Sequence, residues 1–294
     1  MSPRLHWTDW QSLALVEPLT PSVLAEVLDG GQAFRWTRSA GPCWEGVWGE
    51  YAARLKSDRD GGVQWCAPDP LAAATAPALA EYLAAPVSVA RLTDRLPWRS
   101  DAHLARCLAA FPGLRLLRQP LGETLLCFLC SATKQIVQIR QIVSLLARRH
   151  GCELAPGVHR LPTWEELALV PEGDLRACLL GFRAHYIAQT ARFLAGHPGW
   201  LATLASLPYA DAKARLCDLP GVGEKIADCV LLFGAGLLEA FPVDVWILRA
   251  MSRWYGLDGW TPRQIAHFGR VHFGAGAGLA QQYLFAWERA HRDD

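Results

Sequence analysis

The stretch that decides the fold is LCDLPGVGEKIADCVLLF, residues 216–233. Apolar residues at helical spacing lie on both sides of a short turn, LPGVG at 219–223. Two glycines around one apolar residue permit a tight hairpin between two helices, with backbone amides pointing outward where the second helix begins. Such amides form a site for a phosphate, although the same turn also occurs as an ordinary connection between helices.

Lys225 follows the second glycine by two residues and therefore lies in the first turn of the second helix. A lysine on a helix surface is usually unremarkable. Here, however, the positive end of the helix dipole disfavours the ammonium form, and partial burial would do the same. Lys225 is therefore a candidate amine nucleophile.

Asp244 lies nineteen residues after Lys225, in the segment FPVDVW. Pro242 keeps the chain extended before it, and the aspartate begins a predicted helix that ends at Gly256. Many aspartates in this place are only N-caps. If Asp244 faces a cleft, it can also orient a nucleophile and offset positive charge that develops on a substrate.

The first third of the chain predicts a sheet. Residues 34–66 are rich in Trp, Val and Gly, and turn residues punctuate them at 41–42, 49–50 and 60–62. This pattern is typical of antiparallel strands. A helix is predicted on each side of the strands, from Thr20 before them and over 71–85 after them.

The remainder of the chain predicts helices. Apolar residues recur at helical spacing over 122–149, and capping boxes at Thr163 and Thr261 begin two further helices. The sequence therefore predicts the α+β class, with an N-terminal antiparallel β-sheet domain and an all-α body. The predicted domains are residues 1–113 and 114–294, with the hairpin region at 214–235.

Composition restricts the class of protein without selecting one. The chain has 294 residues, of which 51% are hydrophobic and 19% charged, so that a sizeable core can form. A net charge of +1 neither requires nor excludes nucleic acid, and any field that attracts DNA must be local. Nine scattered cysteines, with neither a signal peptide nor a long apolar run, indicate an intracellular protein with reduced thiols and no membrane segment.

The hairpin, Lys225 and the segment around Asp244 resemble the helix-hairpin-helix DNA glycosylases, in particular their bifunctional, lysine-bearing branch. Further motifs resemble the 8-oxoguanine DNA glycosylase/AP lyase family and occur in that family's order. They are GQAFRW at 31–36, LLCFLCS at 125–131, GFRAHY at 181–186 and GLAQQYLF at 278–285. The resemblance implies a sheet domain like that of TATA-binding protein, followed by a helical glycosylase body.

The resemblance also implies a role for each matching residue. Lys225 would attack the anomeric carbon and form a Schiff base, and Asp244 would support this attack. The carbonyl of Gly31 would accept the proton that 8-oxoguanine carries at N7 and guanine lacks. Cys229 and Phe285 would sandwich the flipped base, although by themselves both are typical of a helix core.

The remaining roles concern the base edge and the duplex. Gln281, otherwise an ordinary helix-surface residue, would bond the Watson–Crick edge of the base. Phe182 would wedge into the duplex and Arg183 would face the orphaned base, where the residues alone suggest a buried Phe beside a surface Arg. Further contacts to damaged double-stranded DNA would come from Lys134 and from the hairpin residues Gly221, Val222 and Gly223. The enzyme would act as a monomer.

The chain departs from the family where the base opposite the lesion is read. Phe182 replaces a tyrosine, residues 133–135 (Thr-Lys-Gln) replace three asparagines, and Gln138 replaces an arginine. We therefore expect weaker discrimination in favour of cytosine. Trp246 replaces a histidine, which affects local phosphate or pocket contacts but neither principal catalytic residue.

Two other functions fit parts of the pattern. Alkylpurine (3-methyladenine-type) glycosylases typically lack the lysine, so Lys225 and the GQAFRW motif argue against that activity. A non-catalytic helix-hairpin-helix DNA-binding protein would keep the hairpin without needing Lys225, Asp244 and the pocket residues together. Cys127 and Cys130 lie on an apolar helix that favours core packing, and no cysteine follows Cys229. We therefore expect no metal, iron–sulfur cluster or organic cofactor.

Overall fold

The computed structural model describes residues 5–39 and 41–291. The strands are β1 (Gln11–Leu13), β2 (Trp36–Arg38), β3 (Trp44–Trp48), β4 (Tyr51–Ser57), β5 (Val63–Cys66), β6 (Glu153–Ala155) and β7 (Val158–His159). The helices are α1 (Pro21–Asp29), α2 (Ala72–Tyr82), α3 (Val89–Asp94), α4 (Ala102–Ala110), α5 (Leu121–Ser131), α6 (Ile136–His150), α7 (Trp164–Ala168), α8 (Glu172–Leu175), α9 (Arg183–Gly196), α10 (Tyr209–Cys217), α11 (Glu224–Phe233), α12 (Val245–Tyr255), α13 (Pro262–Phe273) and α14 (Ala277–Ala290).

The predicted N-terminal sheet is confirmed. Its strands are antiparallel in the order β1-β5-β4-β3-β2. Trp36 stacks on Trp48 with ring centroids 5.7 Å apart, and its indole Nε1 donates to Tyr82 Oη at 3.0 Å. Gly46 lies directly under this ring, since a Cβ there would come within 2.2 Å of Trp36. Aromatic packing therefore fixes the face of the sheet that α2 covers.

The body is helical as predicted, apart from one short element. Strands β6 and β7 pair in an antiparallel hairpin between α6 and α7. Its turn contains Gly157, whose φ of 78° suits glycine. Strands of three and two residues are too short to show a period of two, so the sequence did not predict them. The capping boxes at Thr163 and Thr261 are both present.

The apolar core forms two large clusters, and each one joins residues that are distant in the sequence. One cluster joins the sheet domain to buried residues between 241 and 285, on α12, α13 and α14. The other contains α5 to α11 and buries residues between 125 and 240 together with Phe34. The C-terminal helices thus return to the N-terminal domain. Gly30 and Gly31 just after α1, the start of α11 and the N-cap of α12 line one cavity. Among the described helices, none has both the length and the hydropathy to span a bilayer.

Candidate active site

The predicted hairpin connects α10 and α11. Gly221 has a φ of +77°, and a Cβ there would come within 2.7 Å of the Tyr186 ring, so only glycine fits. Gly223 is the N-cap of α11 and has no side chain with which to bond the first amides of that helix. These amides are therefore available to a phosphate oxygen.

Lys225 lies in the first turn of α11 and is half-buried. Its Nζ lies 5.2 Å from the centroid of the Phe128 ring. One turn further along α11, burial raises the pKa of the Cys229 thiol to about 11, although the neighbouring Lys225 opposes the shift. Cys229 therefore stays an uncharged thiol at neutral pH, and the amine is not held by a thiolate.

Asp244 is the N-cap of α12. Its Oδ1 accepts hydrogen bonds from the amides of Trp246 and Ile247, each at 3.0 Å. Burial raises the pKa of Asp244, while the Ile247 amide and the charge of Lys225 partly offset that effect. The carboxylate is thus held rigidly, with its second oxygen outside these cap bonds.

Lys225 and Asp244 line the same cavity, which has a volume of about 1000 Å³. Its walls come from both core clusters and from the loop between α5 and α6. The amine and the carboxylate, nineteen residues apart in sequence, therefore face one space, as the sequence predicts. Such a pair can carry out nucleophilic attack with electrostatic support.

The four predicted base-binding residues also come together. Gly31, Cys229, Gln281 and Phe285 line a second cavity of about 50 Å³, to which Lys225 and Asp244 also contribute. Gln281 Nε2 donates to the Pro242 carbonyl at 3.1 Å, and its Oε1 accepts from Gln282 Nε2 at 2.7 Å. A space of this size holds a water molecule or two, so a purine enters only if side chains such as Phe285 move.

Gln32 is a positioning residue that sequence reasoning missed. Its buried side chain donates to the Arg115 carbonyl at 3.0 Å and accepts from the Leu117 amide at 3.0 Å. Its own carbonyl accepts from Gln119 Nε2 at 2.7 Å. These bonds hold the backbone next to Gly31, whose φ is +99°. The GQAFRW motif could have identified Gln32 from the sequence, because this glutamine directly follows Gly31.

Phe128 and Arg289 were also missed, and both line the larger cavity. Phe128 belongs to the LLCFLCS motif and lies under Lys225, so its place in that motif was a usable signal. Arg289 Nη1 pairs with Glu26 Oε1 at 3.0 Å, and the Arg289 guanidinium lies 5.6 Å from the Phe285 ring. No sequence pattern connects residues so far apart in the chain.

The residues predicted to contact the orphaned base divide into exposed and buried ones. Phe182 is 53% exposed, as a wedge residue requires, whereas Arg183 is only 3% exposed. Arg183 donates from Nε to the Ala132 carbonyl at 2.9 Å and from Nη2 to Thr133 Oγ1 at 2.8 Å. In this structure Arg183 therefore holds the α5–α6 loop and does not face open space. Lys134, in the same loop, lines the larger cavity.

Gln138 has a local task in this structure. Its Oε1 accepts from the backbone amide of Gln135 at 3.1 Å and so caps the start of α6. Trp246 lines the larger cavity beside Asp244. Within the described ranges, no group of three or more His, Cys, Asp or Glu side chains is arranged to hold a metal ion.

Comparison with known proteins agrees with this geometry. The family model described as "8-oxoguanine DNA glycosylase, N-terminal domain" matches residues 15–125. The model described as "HhH-GPD superfamily base excision DNA repair protein" matches residues 127–271. An N-glycosylase/DNA lyase OGG1 from Arabidopsis thaliana is 31% identical over 98% of this chain and 83% of its own length. A probable N-glycosylase/DNA lyase from Methanothermobacter thermautotrophicus is 32% identical over 66% of this chain and 69% of its own length.

A solved structure gives the same result. The 8-oxoguanine glycosylase/lyase of Clostridium acetobutylicum, in complex with double-stranded DNA containing cytosine opposite 8-oxoguanine, superposes with a TM-score of 0.86. It is 27% identical, and the match covers 97% of this chain and 99% of that one. Fold, hairpin and cavity thus define a helix-hairpin-helix base excision repair glycosylase. More specifically, the chain belongs to the 8-oxoguanine N-glycosylase/DNA lyase family and is a DNA glycosylase with AP lyase activity.

Proposed function

We propose that this enzyme removes 8-oxoguanine from duplex DNA with Lys225 as nucleophile and Asp244 as the supporting carboxylate. The observation that carries the proposal is the cavity shared by these two side chains and the four base-binding residues. The helix-hairpin-helix turn reaches the neighbouring larger cavity, since Gly223 lines it together with Lys225 and Asp244.

The chemistry follows from the positions of the two groups. The free amine of Lys225 forms a bond to the anomeric carbon as the bond from that carbon to the base breaks. The base leaves with the electron pair and takes up one of the two amine protons. The bond from the anomeric carbon to the ring oxygen then breaks, this oxygen takes up the second amine proton, and the imine results. Loss of a proton from C2′ then expels the 3′ phosphate and nicks the strand. Asp244 offsets the positive charge that builds on the sugar during the first step.

Recognition of the base is proposed to rest on one backbone acceptor. The Gly31 carbonyl accepts from N7–H of 8-oxoguanine but would meet a lone pair in guanine, and a buried unmatched acceptor is strongly disfavoured. Cys229, an uncharged thiol, and Phe285 form the two faces of the base site. Gln281 binds the Watson–Crick edge, and its bond to the Pro242 carbonyl already fixes the orientation of its amide.

Binding to the duplex is proposed to occur at three places. Amides of the hairpin residues 221–223 bind a backbone phosphate. Phe182 fills the gap that the extruded base leaves in the duplex, and Lys134 contacts the DNA beside this gap. Arg183 reaches the orphaned base only after it leaves Ala132. The enzyme acts as a monomer on damaged DNA inside the cell, in the cytoplasm or nucleoid, without metal or organic cofactor. All nine cysteines are free thiols, as that compartment favours.

Borohydride trapping tests this proposal. The enzyme is incubated with duplexes that carry 8-oxoguanine or 3-methyladenine, each with every opposing base, and the imine is reduced to a stable adduct. We expect a covalent complex with 8-oxoguanine duplexes and none with Lys225→Gln, which still binds the lesion. Lys56→Gln is the matched control, since Lys56 lies on β4, away from the cavity, over the Trp10 ring. Release of 3-methyladenine without trapping would instead support an alkylpurine glycosylase, and no reaction on any lesion would support a non-catalytic DNA-binding protein.

A further inference from the structure

Leu179 has an unusual backbone conformation and an exposed side chain. It lies just after Cys178, where the helical backbone that begins with α8 ends, and has φ +64° and ψ +18°. Glycine is the common residue at such a left-handed helix terminus, and a leucine there is strained. Its side chain is also 49% exposed. Ending a helix explains neither feature, because glycine would end the helix without strain or exposed apolar surface.

The turn that carries Leu179 is tied to the rim of the cavity. Arg183 Nη1 donates to the Leu180 carbonyl at 3.1 Å, while Nε of the same guanidinium donates to Ala132. Ala132 lines the cavity that contains Lys225. Phe182, the proposed wedge, follows Leu179 by three residues and is also exposed. Leu179 and Phe182 are therefore two exposed apolar side chains on one turn beside the active site.

Cationic side chains flank this turn. Arg149 is exposed and donates from Nη1 to the Ala177 carbonyl at 2.8 Å, and no carboxylate among the described residues pairs with it. Arg176 is also exposed, although Glu172 pairs with it at 2.6 Å. Exposed apolar side chains on a turn that arginines contact suit a duplex whose bases are partly unstacked and whose phosphates lie nearby.

We propose that Leu179 is a second apolar wedge, which packs beside Phe182 against the bases that lose their stacking partner when the lesion is extruded. The proposal rests on the proposed function, because it takes base extrusion as given. Contact with unstacked bases would bury the leucine, which accounts for its exposure in the free protein. It would also account for the backbone strain, which free proteins retain mainly where a function depends on it.

Two variants of Leu179 distinguish the backbone strain at this residue from the proposed contact of its side chain with DNA bases. Leu179→Gly removes both, whereas Leu179→Ala removes the side chain and keeps a residue with a Cβ at positive φ. Leu169→Ala is the matched control, because Leu169 is 85% exposed and does not line the cavity. Binding is measured by fluorescence anisotropy on a duplex with a stable abasic analogue and on the same duplex undamaged. Thermal unfolding of the free proteins is measured in parallel.

We expect both Leu179 variants to bind the abasic duplex about tenfold more weakly and the undamaged duplex as wild type does. Leu179→Gly should also raise Tm by about 3 °C, while Leu179→Ala should not. Unchanged binding of the abasic duplex, an equal loss on both duplexes, or a lower Tm for Leu179→Gly would overturn the proposal. Excision of 8-oxoguanine by the wild type is assayed separately. A failure of the proposed function would appear in that assay, whereas a failure of the Leu179 proposal would appear in the relative affinities for the abasic and undamaged duplexes.

Discussion

The two sides of the active-site cavity are built differently. One side, which we call the catalytic wall, consists of Lys225 and Asp244 at the starts of two regular helices and of Cys229 one turn along the first of them. The other side is the loop 131–135, which lines the larger cavity. We call this loop, together with the turn 178–183 that Arg183 bonds to it, the reading rim. The rim contains two non-glycine residues at positive φ, Thr133 and Leu179, and the buried Arg183 ties its two segments together. Helix starts thus position the proposed catalytic groups, while tertiary contacts position the surface that is proposed to meet the opposing strand.

The largest effect is expected at Asp244, which caps α12 and is proposed to support attack by Lys225. Asparagine is as good an N-cap as aspartate, so Asp244→Asn should keep α12 and the fold. It removes the charge that supports attack by Lys225, and base release should fall on the order of a hundredfold to a thousandfold. Single-turnover kinetics on an 8-oxoguanine duplex measure the rate, and circular dichroism checks the fold. Near-normal turnover would show that the catalytic wall acts through its helix cap and not through its charge.

The acid side of the pH profile depends on the same carboxylate. Burial raises the pKa of Asp244, so this group takes up its proton at a higher pH than an ordinary aspartate does. The proposed role requires the ionised form, so activity should fall about tenfold per pH unit once the pH drops below that raised pKa. Asp244→Asn should lose this component of the profile. If activity fell in the same way at low pH in both enzymes, the protonation of another group would cause the fall.

Much of the catalytic wall could be predicted from the sequence because its rules are local. A glycine at positive φ, a lysine two residues after a hairpin and an aspartate before a helix each leave a pattern of a few residues. Family motifs then placed Gly31, Cys229, Gln281 and Phe285 around the same cavity.

The rest depends on contacts between distant segments. Gln32 holds its place through residues 115–119, and Arg289 through Glu26, and no local pattern records either partnership. Arg183 was predicted to face the opposing base, yet its guanidinium lies in a polar site formed by Ala132, Thr133 and Leu180. The sequence shows an arginine beside an aromatic residue but not which of the two is exposed.

The hairpin tests whether Gly221 must be a glycine, and the second hairpin glycine, Gly223, provides the control. Gly221→Ala places a Cβ against the Tyr186 ring at positive φ, which should cost about 2–3 kcal/mol of unfolding free energy and weaken DNA binding about tenfold. Gly223→Ala has open space and a φ of −93°, so it should cost less than about 1 kcal/mol. Denaturant unfolding and anisotropy titrations give the two quantities. Equal costs for both glycines would contradict the packing argument for Gly221.

The reading rim predicts modest selectivity for the opposing base. Gln138 is used as a helix cap and Arg183 is bonded to the loop, so few donors are free to read cytosine. We expect rates of 8-oxoguanine release opposite the four bases to lie within about tenfold of one another. Single-turnover rates on four matched duplexes provide the measurement. Excision confined to cytosine would mean that Arg183 leaves Ala132 when DNA binds.

The smallest expected effect lies at Thr133, a β-branched residue at φ +53°. Asparagine tolerates this conformation better, so Thr133→Asn should relieve strain and raise stability by about 0.5 kcal/mol. Its side-chain oxygen can still accept from Arg183, whereas Thr133→Val loses that bond without relieving the strain and should be less stable than wild type. Chemical denaturation of the three proteins orders their stabilities. If Thr133→Asn were the least stable of the three proteins, packing around the threonine methyl group would hold the loop. Backbone strain at residue 133 would then not be a difference between the reading rim and the catalytic wall.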